Sequence, residues 1–595
     1  MNHNFLHTIF FLSCCSWLQI SSTIAFPWDP KVQTKYGEIE GEFKDGVAVF
    51  RNVPFAQPPI GDFRFKSPQP LENWKGTLDG KKTPKLCPQL KATDLFHLGE
   101  EDCLYMHIYV PEDAFKKNIT ELPVLFWIFG GGFVMGDGYE FGFYDGTNLA
   151  KNTNSIVVTT NYRVGPFGFL AHKYLQNEDP DHSTGNMGVR DQRAAMQIVQ
   201  EIIGEFGGDK KRVAIFGESA GAMSVCYHIA SEASKGLFSA AISESGSCDT
   251  TQFFRPLKNQ SEFGSYYALK FGCNDTSMDQ EEFLKCLRKA DVKDIMNGFF
   301  TWFEKHWPNP ETEKYFAKIF DGDSKKAKEF VASKLFRAVP PGWDPPLSPV
   351  MPFGPTIDGT HVGTFDMPLH AMINGFGSSV PAIFGSNRNE GSIFVPFLPI
   401  VDKGVSLFPL TDASVEKSLF LFLNRNHTFV NLVLEHYPKG DYNNDNIARI
   451  AMILRDCTFA CPARRAVRVL SERGVNAYLY HFVTPLTNWI EYGLLGDYHS
   501  SELAFVFGNQ WPAIIHDFDK GEAEVSKAFQ FYWSNLAKTG DVNQGDSETE
   551  FLHWPKYNKT SSLNMNLDYP LNTEIDLLGG KCDFWDTQKK WYIKH

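Results

Sequence analysis

The 595-residue sequence has no block of like charges, no internal repeat and no low-complexity tract. Its formal net charge is −13, with both signs mixed along the chain. Phosphate binding needs a basic footprint, so this balance argues against nucleic acid as a partner. After the first 25 residues no second long apolar run follows, so no transmembrane anchor is expected. The closing residues CDFWDTQKKWYIKH are polar and carry neither a lipid-anchor signal nor a retention tetrapeptide.

The opening segment, MNHNFLHTIFFLSCCSWLQISSTIA, is apolar from Ile9 to Ile20 and too short to span a bilayer. Thr23 and Ala25 suit the −3 and −1 positions of a cleavage site, so residues 1–25 read as a secretory signal peptide, although the region before the apolar run has no Lys or Arg. Sequons at Asn118, Asn259, Asn274, Asn426 and Asn558 also fit export and glycosylation. Removing Cys14 and Cys15 from the eleven cysteines leaves nine, an odd count that fits an oxidised protein with some buried thiols.

The length prior allows three or four domains, but the pattern reads as one catalytic domain over 26–595. Short apolar runs of strand length come first: 47–50, 104–110, 124–129 and 156–162. A helix over Val189 to Phe206, a strand over Arg212 to Phe216 and a helix from about Ala220 to Ala233 follow. Further buried strands are expected at 240–245, 380–386 and 476–483. Strands alternating with helices predict an α/β fold, a large and mostly parallel sheet with helices on both faces. Residues 250–375 break the pattern, with Lys-, Glu- and Phe-rich helical stretches and then a proline-dense segment at 339–355 that reads as a surface loop at a cleft rim.

The strongest local signal is Gly217-Glu218-Ser219-Ala220-Gly221, between the strand VAIF and a helix. A serine hydroxyl is a poor nucleophile and must be held where a base can reach it. A sharp strand-to-helix turn does that, and the flanking glycines let the backbone bend. The second signal is Phe129-Gly130-Gly131-Gly132-Phe133, directly after another strand. Attack on an ester carbonyl builds charge on its oxygen, and N–H groups unobstructed by side chains can stabilise it. The phosphate-loop lysine is missing, so a nucleotide cradle is a poor reading. With Ser219 as nucleophile, the chain order Ser, acid, His favours His499, in the loop LLGDYHSSELAFVFG, as the base among seventeen histidines, and offers Glu390, in VPAIFGSNRNEGSIF, as a candidate acid against the ordinary reading of a loop glutamate as merely solvated. His481 lies inside a strand and reads as a packed core residue.

Together these segments resemble the carboxylesterase/cholinesterase family, the type-B carboxylesterases and lipases of the α/β-hydrolase superfamily. The family's second signature stands as Glu101-Asp102-Cys103-Leu104-Tyr105, and FRNVPFAQPPIGDFRF, NYRVGPFGF, GNMGVRDQR and FGGD follow family blocks in order. The resemblance implies a triad of Ser219, Glu390 and His499, with oxyanion donors at Gly131, Gly132 and Ala220. It also implies disulfides Cys87–Cys103, Cys273–Cys286 and Cys461–Cys582, which leaves Cys226, Cys248 and Cys457 as expected thiols. Arg64 with Glu101 and Arg163 with Asp191 resemble the family's buried ion pairs.

Two departures bear on substrate. Cholinesterases carry a tryptophan between the first two cysteines to attract choline; here that loop, CPQLKATDLFHLGEEDC, has none. The aromatic expected three residues after the acid is Ile393, with Phe394 next. The implied function is therefore secreted hydrolysis of a neutral, fairly apolar carboxylic ester through an acyl-enzyme on Ser219, with no metal or cofactor. Two alternatives stay open. One is a lipase or sterol esterase using the 339–355 segment or the first cysteine loop as a lid; the other is a secreted binding or structural protein that keeps the triad.

Overall fold

The computed structural model describes residues 29–90, 97–117, 119–250, 253–296, 352–398, 409–423, 426–486, 495–510, 518–545 and 551–588. Within them an eleven-stranded sheet runs from β1 (Glu42–Lys44) and β2 (Val47–Pro54) through β3 (Tyr105–Pro111), β4 (Leu122–Ile128), β5 (Ile156–Thr160), β6 (Gly208–Glu218), β7 (Ala240–Glu244), β8 (Ala382–Asn387) and β9 (Ala477–Phe482) to β10 (Leu563–Leu567) and β11 (Asn572–Ile575). The spatial order is β11-β10-β9-β8-β7-β6-β4-β5-β3-β2-β1. Pairing is parallel from β5 across to β10 and antiparallel at both margins.

The chemistry of the runs explains this layout. Every residue of β4, β5 and β7 is buried, as a parallel sheet covered on both faces requires. Val124, Leu125, Phe126, Trp127 and Ile128 have no exposed surface, and burying each such side chain contributes about 1.5–3 kcal/mol. The helix α1 (Met187–Ile202) runs on as a 3-10 turn to Phe206, so the expected helix ends as two elements. The helix α2 (Ala220–Ala230) is buried at every position; it packs on β6 and β7 and needs its small residues to approach them. Of the helices α3 (Asn446–Arg455), α4 (Cys461–Glu472), α5 (Leu503–Phe507), α6 (Lys520–Thr539) and α7 (Gly579–Thr587), α4 packs on β8 and β9 and α6 on β4, β6, β7 and β10. A smaller apolar cluster, including Val415, Val430, Ile450, Cys461 and Trp585, lies beside the main core.

The three disulfides implied by the resemblance are present: Cys87–Cys103, Cys273–Cys286 and Cys461–Cys582. A fourth corrects the sequence reading, because Cys226 and Cys248, expected as thiols, are joined. Cys226 lies on α2 and Cys248 on the segment after β7. These elements are packed side by side, a proximity that separate reading of the two segments does not show. Among the described residues Cys457 is a buried free thiol, and burial pushes its pKa up to about 12. Arg64 pairs with Glu101 (Nε–Oε1 2.7 Å) and Arg163 with Asp191 (Nε–Oδ2 2.7 Å). Asn259, Asn426 and Asn558 are exposed and Asn274 partly so; Asn118 and residues 339–351 lie outside the described residues. Among the described residues no helix is long and apolar enough to cross a membrane.

Candidate active site

Ser219 stands between β6 and α2 with φ 56° and ψ −119°. Such a conformation costs about 1–3 kcal/mol and persists only where the surroundings enforce it. Here the Ser219 N–H donates to the Glu244 carbonyl at 3.0 Å, and the Ser219 carbonyl accepts from Met223 N–H at 2.9 Å. The next turn presses on β4 so closely that a Cβ on Gly221 would lie 2.0 Å from the Ile128 carbonyl oxygen. The glycine after the serine is therefore a packing requirement as well as a turn residue.

The parallel neighbours β8 and β9 lead to the residues expected as acid and base. Glu390 opens a 3-10 turn just after β8 and has no exposed surface. Its Oε1 accepts from the Asn387 N–H at 2.7 Å, and its Oε2 lies 2.6 Å from His499 Nδ1. The hydrogen bond to Nδ1 fixes the ring's orientation and leaves Nε2 for proton exchange. His499 Nε2 has no hydrogen-bond partner among the described residues, although Glu218 Oε1 lies 3.1 Å away out of alignment. Rings of Phe394 and Phe459 flank the imidazole, with centroids 5.2 and 4.6 Å away. His481 is buried within β9, and burial lowers its pKa to about 3.

Ser219 and His499 line one cavity of about 80 Å³, together with Gly130, Gly131, Glu218 and Phe394. The glycine run follows β4. Gly131 has φ +98°, and a Cβ there would sit 2.2 Å from the Met135 carbonyl oxygen. Among the described residues the N–H groups of Gly131 and Gly132 donate to no turn or loop carbonyl. Ala220 N–H belongs to the first turn of α2, where helical N–H groups lack intrahelical acceptors. Gly131→Ala is expected to lower kcat on a nitrophenyl ester by about 10²–10³-fold, the cost of one misplaced oxyanion donor. Steady-state kinetics alongside a melting curve check this; unchanged kcat in a folded variant would remove Gly131 from the site.

A buried acidic cluster behind the serine went unread in the sequence. Glu502 accepts from Ser245 Oγ at 3.1 Å and from the Asn387 side chain. Glu244 accepts from Trp533 Nε1 at 2.6 Å, and Glu218 accepts from Ser500 Oγ at 2.7 Å. Several buried carboxylates this close cannot all ionise. Burial, then the charges of Glu218 and Glu390, push the Glu502 pKa up to about 8. Burial and the neighbouring Glu502 hold Glu244 well above the usual carboxylate range. For His499, burial acts to lower the pKa, but the charges of Glu218 and Glu390 outweigh it and raise the value to about 9. The available signal was Glu502 three residues after His499, and Glu244 within the buried run AAISES.

The arrangement supplies a strained serine, a histidine oriented by a buried carboxylate and free N–H groups at one cavity, the parts that acyl transfer needs. Comparison with known proteins agrees. The model of the carboxylesterase family matches residues 28–585. The chain is 31% identical over 562 residues to para-nitrobenzyl esterase of Bacillus subtilis (strain 168), covering 92% of this chain and 96% of that protein. It is 31% identical over 554 residues to carboxylesterase 1E of Rattus norvegicus, covering 89% and 87%. To bile salt-activated lipase of Homo sapiens it is 30% identical over 568 residues, covering 93% and 67%. Among solved structures, a thermophilic PNB esterase superposes with a TM-score of 0.72 at 27% identity, covering 94% of this chain and all of that one.

Proposed function

Because the chain belongs to the carboxylesterase family and is a carboxylic ester hydrolase, we propose that it is exported and cleaves neutral, fairly apolar esters through an acyl-enzyme on Ser219. The observation that carries this reading is the 2.6 Å contact between His499 and Glu390 beside the cavity that His499 shares with Ser219. His499 takes the hydroxyl proton as Ser219 attacks the carbonyl carbon. The N–H groups of Gly131, Gly132 and Ala220 hold the oxyanion. Glu390 orients the ring and stabilises its charged form. His499 then protonates the leaving alcohol, and a water activated by the same ring releases the acid. Met135, Phe143, Ile393 and Phe394 in the cavity wall support an apolar substrate. The four disulfides support residues 1–25 as an export signal ahead of one catalytic domain over 26–595, since such bonds persist in oxidising compartments.

Fluorophosphonate labelling with peptide mapping, followed by a panel of nitrophenyl esters, tests this. A label on Ser219 with fastest turnover of short or medium acyl chains is expected. Turnover of long chains only at an interface would instead assign a lipase, and a folded protein that takes no label would overturn the hydrolytic site.

A pH profile gives a second test. His499 must be neutral to accept a proton, so kcat/KM should rise with pH through its titration. Glu218 helps to raise that pKa. Glu218→Gln keeps an oxygen for Ser500 and removes the charge, so the acidic limb is expected to move to lower pH. A limb that stays or moves upward would contradict this electrostatic account.

A further inference from the structure

The loops carrying Glu390 and His499 are tied together at several points. Asn389 N–H donates to the Asp497 carbonyl at 3.1 Å, and Asp497 N–H donates to Asn389 Oδ1 at 3.2 Å. Asn387 Nδ2 donates to the Tyr498 carbonyl at 2.9 Å, and Ser392 Oγ to the Leu495 carbonyl at 2.5 Å. At the centre Arg388 Nη2 lies 2.6 Å from Asp497 Oδ2. The Asp497 side chain has no exposed surface, whereas that of Arg388 is 38% exposed. Neither Asp497 oxygen has a well-aligned hydrogen bond among the described residues, so the carboxylate is held by the charge of Arg388. The catalytic chemistry described above uses neither residue. Burying a carboxylate with one half-solvated partner is an expensive way to join two loops that backbone hydrogen bonds already join.

The location accounts for that expense. Arg388 lies two residues before Glu390, and Asp497 two residues before His499. We propose that Arg388 and Asp497 are a positioning pair, a charge contact between the two loops that sets the spacing of Glu390 and His499. The inference rests on the triad reading given above.

Burial pushes the Asp497 pKa up to about 7, against the charge of Arg388, and Asp568 adds to the rise. The other charged or titratable groups packed around the pair are Arg455, whose Nη1 donates to the Arg388 carbonyl, its partner Asp456, and His481 on β9. The sign follows from a raised carboxyl. Ionised Asp497 lowers folding stability above its folded-state pKa, and the cost is relieved as pH falls through about 7. The contact therefore acts on positioning at the expense of stability, which separates it from a structural ion pair.

The experiment measures the rate of fluorophosphonate labelling, kcat and melting temperature for the full chain as wild type, Asp497→Asn, Arg388→Met and the double variant, between about pH 5 and pH 9. At high pH each single variant is expected to lose about tenfold or more in labelling rate and kcat with KM nearly unchanged, as a small misplacement of catalytic groups does. The double variant should lose no more than either single one. The gap to wild type should narrow toward the acidic end, where wild-type Asp497 becomes neutral. Melting temperature at high pH should be unchanged or higher in Asp497→Asn. Arg388→Met changes a partly exposed side chain and provides the test if Asp497→Asn fails to fold. Wild-type kcat in either folded variant, additive losses in the double variant, or a deficit matched by a lowered melting temperature at every pH would overturn the pair. Failure of wild type to label on Ser219 would overturn the triad reading and this inference with it; normal wild-type labelling with unaffected variants would overturn the inference alone.

Discussion

Ser219→Ala is expected to reduce kcat on a nitrophenyl ester by about 10⁶-fold, the scale seen when a serine nucleophile is removed from an intact triad. The fold should tolerate the change. Ala keeps the Cβ, the backbone N–H to the Glu244 carbonyl and the carbonyl accepting from Met223, and among the described residues no hydrogen bond from the hydroxyl supports the turn. Ser219→Gly adds a control. Glycine occupies φ 56° without a Cβ penalty, so this variant should be as inactive as Ser219→Ala and melt at a higher temperature. Kinetics, labelling and calorimetry on the two variants check both halves. Substantial turnover by Ser219→Ala would sink the nucleophile assignment outright.

Glu390→Gln is expected to cost about 10⁴-fold in kcat with little change in KM, because an amide facing Nδ1 favours the wrong imidazole tautomer and cannot stabilise the charged ring. Gln is nearly isosteric and can still accept the Asn387 N–H, so the turn after β8 should persist. Combined with Ser219→Ala, the loss should be no larger than for Ser219→Ala alone, since the two residues act as one unit. Stopped assays at high enzyme concentration are needed to read such low rates. A fall of only a few-fold would mean that another carboxylate orients His499, either Glu218, 3.1 Å from Nε2, or the buried Glu502.

What could be read from the sequence divides along a physical line. The turn at Ser219 and the glycine run after β4 are local, set by neighbouring residues along the chain, so motif and context sufficed. The sheet was legible because each run of β4, β5 and β7 is buried on both faces and carries its own signal. The link between Glu390 and His499 depends on β8 pairing with β9, which spacing alone could not supply; family resemblance singled those two residues out. The cluster of Glu218, Glu244 and Glu502 was opaque for the same reason. Trp533 and Glu244 meet across the fold, and a glutamate beside an apolar run carries no mark of its remote partner. The Cys226–Cys248 bond was misread because it joins a helix to the segment after a neighbouring strand.

The order of the strands along the chain sets a schedule for their appearance. Strands β4, β6 and β7, with the turn at Ser219 and the glycine run after β4, come from the first 250 residues or so, while β9 and the proposed base come much later. Translation at about 5–20 residues per second would separate Ser219 from His499 by roughly 14 to 56 seconds. During that interval the serine has its strained turn but no proton acceptor. A nascent chain at that stage carries Ser219 without its proposed base, and the proposed triad is complete only once the C-terminal strands have joined the sheet.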